Sequence, residues 1–138
     1  MNRILLASHG PLAKGMKDTL AILAGENDRI ETLCAYVDDQ SRDVAKMIDA
    51  WESGLDPDDR WIVVTDVFGG SVNNEFLLRL SEGAFTLVAG MNLPLLVELS
   101  VMLDSLDEAA LDRAIDSCRA SIQRCMPPIV GEDEDEDF

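Results

Sequence analysis

Residues 61–71 read Trp-Ile-Val-Val-Thr-Asp-Val-Phe-Gly-Gly-Ser, and this stretch contains the clearest buried strand that the sequence predicts. Residues 61–65 are apolar or β-branched without alternation, which is typical of a strand covered on both faces. Gly69, Gly70 and Ser71 then indicate a turn and the start of a helix. A buried strand that leads through a short loop into a helix is the repeating unit of a parallel α/β sheet.

The same order of strand and helix recurs on both sides of this stretch. Apolar runs predict further strands at residues 4–7, 30–37 and 85–89. Apolar residues at helical spacing predict helices that carry Leu12, Met16, Leu20 and Leu23; Val44, Met47, Ile48, Trp51 and Leu55; Phe76, Leu77 and Leu80; and Leu111, Ala114, Ile115, Cys118, Ile122 and Cys125. Asn92 and Pro94 indicate the start of another helix after the strand at residues 85–89.

Four alternations of strand and helix predict an α/β fold with a doubly wound, mainly parallel open sheet of four strands and helices on both faces. The strands at residues 4–7 and 61–65 are expected to be neighbours in such a sheet. Ligands and chemistry gather at the carboxyl ends of parallel strands. The loops that follow these two strands are therefore the first places to look for a functional site.

Size and charge limit the classes of function. The chain has 138 residues, a mass of 15.1 kDa and 47% hydrophobic residues, which suits one domain with a real core. We predict that this domain spans residues 1–130 and that residues 131–138 form a disordered acidic tail. The net charge is −16, and the run at 132–137 supplies six of the negative charges. An acidic body without a basic stripe argues against nucleic acid as a partner.

Cysteine and histidine are too few for the usual metal or disulfide patterns. The three cysteines are widely spaced and odd in number, and the chain has one histidine. We therefore predict neither a metal site nor another cofactor. Because no apolar run approaches the roughly 18 residues that span a bilayer, and the N-terminus is not a signal peptide, we predict a cytoplasmic protein.

Two reactive side chains follow neighbouring strands. His9 comes directly after the first strand, and Asp66 directly after the strand at residues 61–65. A carboxylate that accepts the Nδ1 proton of an imidazole leaves the Nε2 lone pair free to attack phosphorus. Gly69, Gly70 and Ser71 would supply backbone and hydroxyl donors for the phosphate. This pattern predicts nucleophilic phosphoryl transfer on His9.

Other chemistries fit less well. A Gly-x-Ser-x-Gly elbow is absent, which disfavours a serine hydrolase. Ser8-His9-Gly10 lacks the preceding arginine and the second histidine that a histidine phosphatase requires. Two structural interpretations stay open, in which His9 is an inert strand-end residue and Asp66 only caps the following helix.

Three segments resemble one known family when they are taken together. They are residues 7–15 (ASHGPLAKG), 65–73 (TDVFGGSVN) and 89–96 (AGMNLPLL). They resemble the IIA domain of the mannose–fructose–sorbose class of the bacterial sugar phosphotransferase system (PTS), and the resemblance covers roughly residues 1–126. Members often have proline after Gly-Gly-Ser, where this chain has Val72.

The resemblance implies a role and a set of partners. His9 would accept phosphate from the phosphocarrier HPr and pass it to a IIB component, which phosphorylates a sugar that enters through a IIC/IID permease. Asp66 would orient the His9 ring, and Phe68 and Ser71 would line the pocket, to which we add Thr65. The family also implies a homodimer that exchanges a fifth, antiparallel C-terminal strand, for which residues 129–130 are candidates.

Two related functions remain open beside sugar transport. One is the phosphoryl-donor subunit of a dihydroxyacetone kinase, and the other is a regulatory module recognised through its phosphohistidine. Asn92-Leu93-Pro94 favours the transport function. The acidic tail stands where fused members continue into a IIB domain, so we expect a free-standing IIA chain.

Overall fold

Four strands form the centre of the computed structural model, which describes residues 1–129. They are β1 (Asn2–His9), β2 (Ile30–Ala35), β3 (Arg60–Thr65) and β4 (Phe85–Ala89). All pairings are parallel, and the strands lie in the order β2-β1-β3-β4. The predicted α/β fold with four parallel strands is confirmed, and β1 and β3 are neighbours as expected.

Five helices cover the two faces of the sheet. They are α1 (Leu12–Ala24), α2 (Val44–Ser53), α3 (Ser71–Leu78), α4 (Leu93–Val101) and α5 (Glu108–Arg119). Helices α1, α4 and α5 share one core cluster with the alternate residues of β1 and β3 that include Leu6 and Val64. Helices α2 and α3 share the opposite cluster with residues such as Leu5 and Val63. The unbroken apolar strands are thus covered on both sides, as their composition requires.

The start of α4 agrees with its sequence signals. The Asn92 side-chain oxygen accepts the N–H of Leu95 at 2.9 Å, and Pro94 lies in the first turn, where a missing N–H costs nothing.

Four of the five helices differ in part from the predicted apolar stripes. Leu12 and Leu23 are exposed, because α1 turns Ala13 and Leu20 towards the sheet. In α3 only Phe76 of the predicted stripe is buried, and Leu77 and Leu80 are exposed. Helices α2 and α5 differ from the prediction at their C-terminal ends. Helix α2 ends at Ser53, before Leu55.

The predicted last helix was too long. Helix α5 ends at Arg119, and Ile122 and Cys125 lie beyond it, exposed. Its final turn tightens, with the N–H of Ala120 bonded to the Ser117 carbonyl. The buried face of α5 ends at Cys118, so the residues beyond it have no core to cover.

The second strand was also predicted too long. It ends at Ala35 instead of continuing to residue 37, because Tyr36 adopts a left-handed backbone with φ 64°. That conformation is incompatible with an extended strand.

The C-terminal predictions fall at or beyond the end of the described residues. Ile129 is exposed and outside any strand, while Val130 and the acidic segment 131–138 lie outside the described residues. None of the helices in residues 1–129 combines the length and apolar character that crossing a membrane requires.

Candidate functional site

His9 and Asp66 meet at the carboxyl edge of the sheet because of the strand register. Ala7 pairs with Thr65 across β1 and β3, and the N–H of Asp66 extends this ladder to the Ala7 carbonyl at 3.2 Å. His9, the last residue of β1, therefore lies beside the residue that follows β3. The sequence predicted this meeting from the parallel topology alone.

The Asp66 carboxylate contacts His9 twice. Its Oδ2 accepts the His9 backbone N–H at 2.8 Å and lies 2.8 Å from Nδ1 of the ring. Its Oδ1 accepts the N–H of Val67 at 3.0 Å, so the carboxylate also stabilises the turn that leads to α3. Partial burial raises the pKa of Asp66, but the hydrogen bonds from the backbone and ring of His9 outweigh this and lower the pKa from its ordinary value.

The ionised carboxylate determines which ring nitrogen is free to react. A carboxylate only accepts hydrogen bonds, so Nδ1 of His9 carries the proton in the neutral ring. Nε2 then holds a lone pair and lies 3.2 Å from the hydroxyl of Ser71. The His9 side chain is 39% exposed, which leaves it open to a partner molecule.

Gly70 allows the His9 ring to lie against the backbone of the loop. A Cβ at this position would stand 2.9 Å from His9 Cε1 and 2.8 Å from Val67 Cγ1, which is closer than carbon atoms approach. Gly69 has φ +86°, which favours glycine at that position as well. Glycine is thus favoured at position 70 by the close contact with the ring and at position 69 by the backbone conformation.

The backbone N–H groups at the start of α3 differ in whether they already donate a hydrogen bond. The N–H of Gly70 donates to the Val67 carbonyl at 3.3 Å. The N–H groups of Ser71 and Val72, at the start of α3, donate to no acceptor within residues 1–129. Val72 provides an N–H that a proline in its place would lack. The start of α3 therefore has two N–H groups without an acceptor, at Ser71, whose hydroxyl lies 3.2 Å from Nε2 of His9, and at the residue after it.

The two remaining predicted site residues have different surroundings. Phe68 is 79% exposed, on the loop between β3 and α3. Thr65 is fully buried, and its hydroxyl donates to the Asn73 side-chain oxygen at 2.6 Å. The structure does not bring Thr65 to the crevice with His9; its hydroxyl ties the end of β3 to α3.

Sequence reasoning missed two residues that shape the site. The Tyr36 hydroxyl lies 2.8 Å from the Ser71 hydroxyl, and its ring stacks on His9 with 5.6 Å between centroids. Ser8 is buried, and its hydroxyl accepts the N–H of Ala13 and donates to the Gly10 carbonyl, which fixes the turn after His9. The signal for Tyr36 was its position, directly after β2 at the same edge of the sheet.

The ligand pattern of a metal centre does not occur in the part of the chain that the structure describes, where no three His, Cys, Asp or Glu side chains cluster suitably. Within residues 1–129, no Lys or Arg side chain is hydrogen-bonded to His9, Asp66 or Ser71. The groups hydrogen-bonded to His9 thus offer a nucleophilic nitrogen and neutral donors for an anion.

Replacing Gly70 by alanine tests the contact with the ring. Gly70 has φ −77°, which alanine adopts without strain, so we expect the fold to persist. The added methyl would push the ring off Asp66, and misplacement of a reacting atom by about 1 Å costs on the order of 10²-fold in rate. We expect the phosphoryl transfer that the sequence predicts on His9 to slow by about 10- to 100-fold, measured by rapid-quench labelling.

Gly15→Ala is the matched control, because nothing lies within 4 Å of a Cβ added there. It lies inside α1, where alanine favours the helix, so its labelling rate should equal that of the wild type. A Gly70→Ala variant that is labelled at the wild-type rate would show that the ring does not depend on this contact.

Comparisons with known proteins identify similar sequences and folds. Residues 3–116 match the family model described as PTS system fructose IIA component. A structure from Klebsiella pneumoniae subsp. pneumoniae, assigned to a phosphoenolpyruvate-dependent sugar PTS permease, is 36% identical with a TM-score of 0.82, covering 90% of each chain. A PTS IIA protein associated with the fucose utilization operon of Streptococcus pneumoniae is 31% identical with a TM-score of 0.70, covering 89% of this chain and 92% of that one.

A more distant structure shares the fold. The mannose/sorbose specific IIA subunit from Enterococcus faecalis is 19% identical with a TM-score of 0.74, and the match covers 94% of this chain and 98% of that one.

Proposed function

The chain belongs to the family of fructose IIA components of the sugar phosphotransferase system, and we propose that within such a system it carries a phosphoryl group on Nε2 of His9. The observation that carries this proposal is the contact of Nδ1 with the Asp66 carboxylate, which leaves the Nε2 lone pair on an exposed ring. The sugar that the system transports is a property of the membrane components.

The transfer step uses only groups at this site and the incoming phosphoryl donor. The Nε2 lone pair forms a bond to phosphorus while the bond from phosphorus to the donor breaks, and that electron pair leaves with the donor. The Nδ1 proton stays between the ring and Asp66, so the positive charge that develops on the imidazole is stabilised by the carboxylate. The free N–H groups at the start of α3 and the Ser71 hydroxyl receive the phosphoryl oxygens.

We further propose that the chain acts in the cytoplasm, that the phosphoryl donor is HPr and that the acceptor is a IIB component, which phosphorylates a sugar taken up through a IIC/IID membrane permease. Exposed apolar side chains support protein partners on this edge. Leu12, Val37, Val67 and Phe68 are all exposed and lie in or next to the loops that follow β1, β2 and β3. Exposed apolar residues grouped around a reactive atom are typical of a docking surface. Neutral donors hold a phosphate less tightly than fixed cations would, which suits a carrier that must release it.

A reconstituted phosphorelay tests the proposal. The wild-type chain, incubated with enzyme I, HPr and radiolabelled phosphoenolpyruvate, should acquire a label that is labile in acid and stable in base. Addition of a IIB component should then move the label onto that component. No label on the chain would refute the carrier function. Label that no IIB component accepts would refute sugar transport and favour a dihydroxyacetone kinase donor or a regulatory module.

We also propose that the chain forms a homodimer through one of the two free edges of the sheet. Strand β4 lies at that edge, and an open groove of about 460 Å³ beside it is lined by apolar residues that include Leu77, Leu87 and Ile115. A strand edge next to an apolar groove is a ready site for another strand. The C-terminal segment of a second copy, around residues 129–130, is the occupant we propose.

Light scattering after size-exclusion chromatography tests this assembly. We expect a mass of twice the 15.1 kDa chain for the wild type. Leu77→Asp places a charge in the groove and should give the monomer mass. Ile22→Asp, on the exposed face of α1, is the control and should remain dimeric. A monomeric wild type at micromolar concentration would contradict the proposal.

A further inference from the structure

Tyr36 holds an unusual backbone conformation beside the site. It is the only non-glycine residue in 1–129 with a positive φ, at 64°. Left-handed backbone disfavours aromatic residues, and such conformations persist only where surrounding contacts hold them, often at functional sites. The Tyr36 N–H donates to the Ser41 carbonyl at 2.7 Å, and the next N–H, of Val37, donates to the Ser41 hydroxyl at 2.9 Å. The turn that contains Tyr36 is therefore firmly held.

This conformation places the Tyr36 side chain against the two groups that face the phosphoryl position. Its ring stacks on the His9 ring with an interplanar angle of 29°. Its hydroxyl lies 2.8 Å from the Ser71 hydroxyl, which in turn lies 3.2 Å from Nε2 of His9. Tyr36 is 45% exposed, so core burial does not account for its position.

The directions of the two hydrogen bonds that link Tyr36, Ser71 and His9 follow from the position of the proton on the His9 ring. Because Nδ1 donates to Asp66, Nε2 is an acceptor and the Ser71 hydroxyl must donate to it. The single Ser71 proton is then used, so the Tyr36 hydroxyl donates to the Ser71 oxygen. The result is a one-way series of donors from Tyr36 through Ser71 to His9.

We propose that Tyr36 is a positioning residue for phosphoryl transfer, which orients the Ser71 hydroxyl as a donor towards the group on Nε2 of His9. When Nε2 bonds to phosphorus, its lone pair is no longer an acceptor, and the Ser71 proton turns to a phosphoryl oxygen. The Tyr36 hydroxyl continues to donate to the Ser71 oxygen, which keeps that oxygen in place and makes it a stronger donor. The inference rests on the proposed carrier function and assigns a further residue to the same site.

A double-mutant cycle tests whether Tyr36 acts through Ser71. The variants are Tyr36→Phe, which removes only the hydroxyl, Ser71→Ala and the double variant, and the measurement is the rate of labelling of His9 from phosphorylated HPr. We expect Tyr36→Phe to slow labelling by about three- to ten-fold, the size of one neutral hydrogen bond. In the Ser71→Ala background the same change should alter the rate by less than about 1.5-fold, because the group it orients is gone.

The single histidine provides a readout that does not require phosphorylation. In protein labelled with ¹⁵N in histidine, the spectrum contains one imidazole. Tyr36→Phe should shift the Nε2 resonance, whose hydrogen bond from Ser71 it weakens, and leave the Nδ1 resonance in place, because Asp66 still holds that proton. A merely structural role for Tyr36 would move both resonances or neither.

The outcomes separate this inference from the proposed function. An unlabelled wild type would refute the carrier, while the Nε2 shift would still test the donor series. A labelled wild type with equal loss from Tyr36→Phe in both backgrounds would overturn the inference and leave the carrier intact. An Nε2 resonance unchanged by Tyr36→Phe would overturn it as well.

Discussion

His9→Ala should lose its phosphoryl label completely in the reconstituted relay. The chain has no other histidine, so no second imidazole can replace the lost nucleophile. The substitution removes Nε2 and leaves the backbone N–H of residue 9 bonded to Asp66, so the turn after β1 should persist. We expect labelling at background level under conditions that label the wild type fully, measured by gel autoradiography, with an unchanged far-UV circular dichroism spectrum.

The chemistry of the label provides the control for this experiment. Phosphohistidine is labile in acid and stable in base, whereas a phosphoryl group on the Ser71 hydroxyl would show the reverse behaviour. Ser71→Ala should therefore keep an acid-labile label, although it acquires the label more slowly. Label that survives His9→Ala, or a wild-type label that survives acid, would refute His9 as the phosphoryl acceptor.

Asp66→Asn should give the second largest loss, by a mechanism that differs from simple removal of charge. The asparagine amide is nearly isosteric, but its NH₂ group can donate to Nδ1 of His9. The ring proton would then move to Nε2, and the lone pair that attacks phosphorus would be lost. Groups that set the protonation of a reacting atom contribute on the order of 10²- to 10⁴-fold. We expect the labelling rate to fall within that range, measured by rapid quench.

Asp59→Asn is the matched control for Asp66→Asn. Burial raises the pKa of Asp59, but the hydrogen bonds and charges of Arg3, at 2.7 Å, and of the N-terminal ammonium, at 3.3 Å, together outweigh this and lower the pKa. Asp59 directly precedes β3 and so lies at the amino edge of the sheet, whereas His9 lies at the carboxyl edge. Its variant should affect stability and leave the labelling rate unchanged. An unchanged rate in Asp66→Asn would show that Asp66 serves only to cap the turn.

The lowered pKa of Asp66 also predicts how the stability of the protein depends on pH. Because the pKa of Asp66 is lowered in the folded protein, its ionised form contributes stability at pH values above its ordinary value of 3.8. That contribution disappears as the pH falls through the lowered folded pKa. The difference in free energy of unfolding between wild type and Asp66→Asn should therefore be largest near neutral pH and vanish in strong acid.

The sequence predicted the sheet well because unbroken apolar runs leave few other structures. Residues 61–65 and 85–89 are short runs of apolar and β-branched residues, which favour strands, and parallel connections make the strands that precede His9 and Asp66 neighbours. The contact between the two side chains then follows from their positions at the strand ends. This part of the site depends on topology, which a sequence pattern specifies.

The parts that the sequence did not predict depend on where the core ends and on single backbone angles. Apolar spacing continued to Cys125, but the surface that α5 covers ends at Cys118. Thr65 ends its strand beside the site, yet its hydroxyl is used by Asn73. Tyr36 follows a strand like many surface residues, and its left-handed backbone arises from contacts with Ser41 that no local pattern reveals.

The double contact of Asp66 with the backbone and ring of His9 has an energetic consequence for the relay. In the proposed carrier, the imidazole is aligned before a phosphoryl group arrives, so gaining or losing that group should require little rearrangement. This pre-organisation lowers the barrier to transfer in both directions. In the proposed relay, we therefore expect the direction of transfer to depend on how fully the donor and the acceptor are phosphorylated.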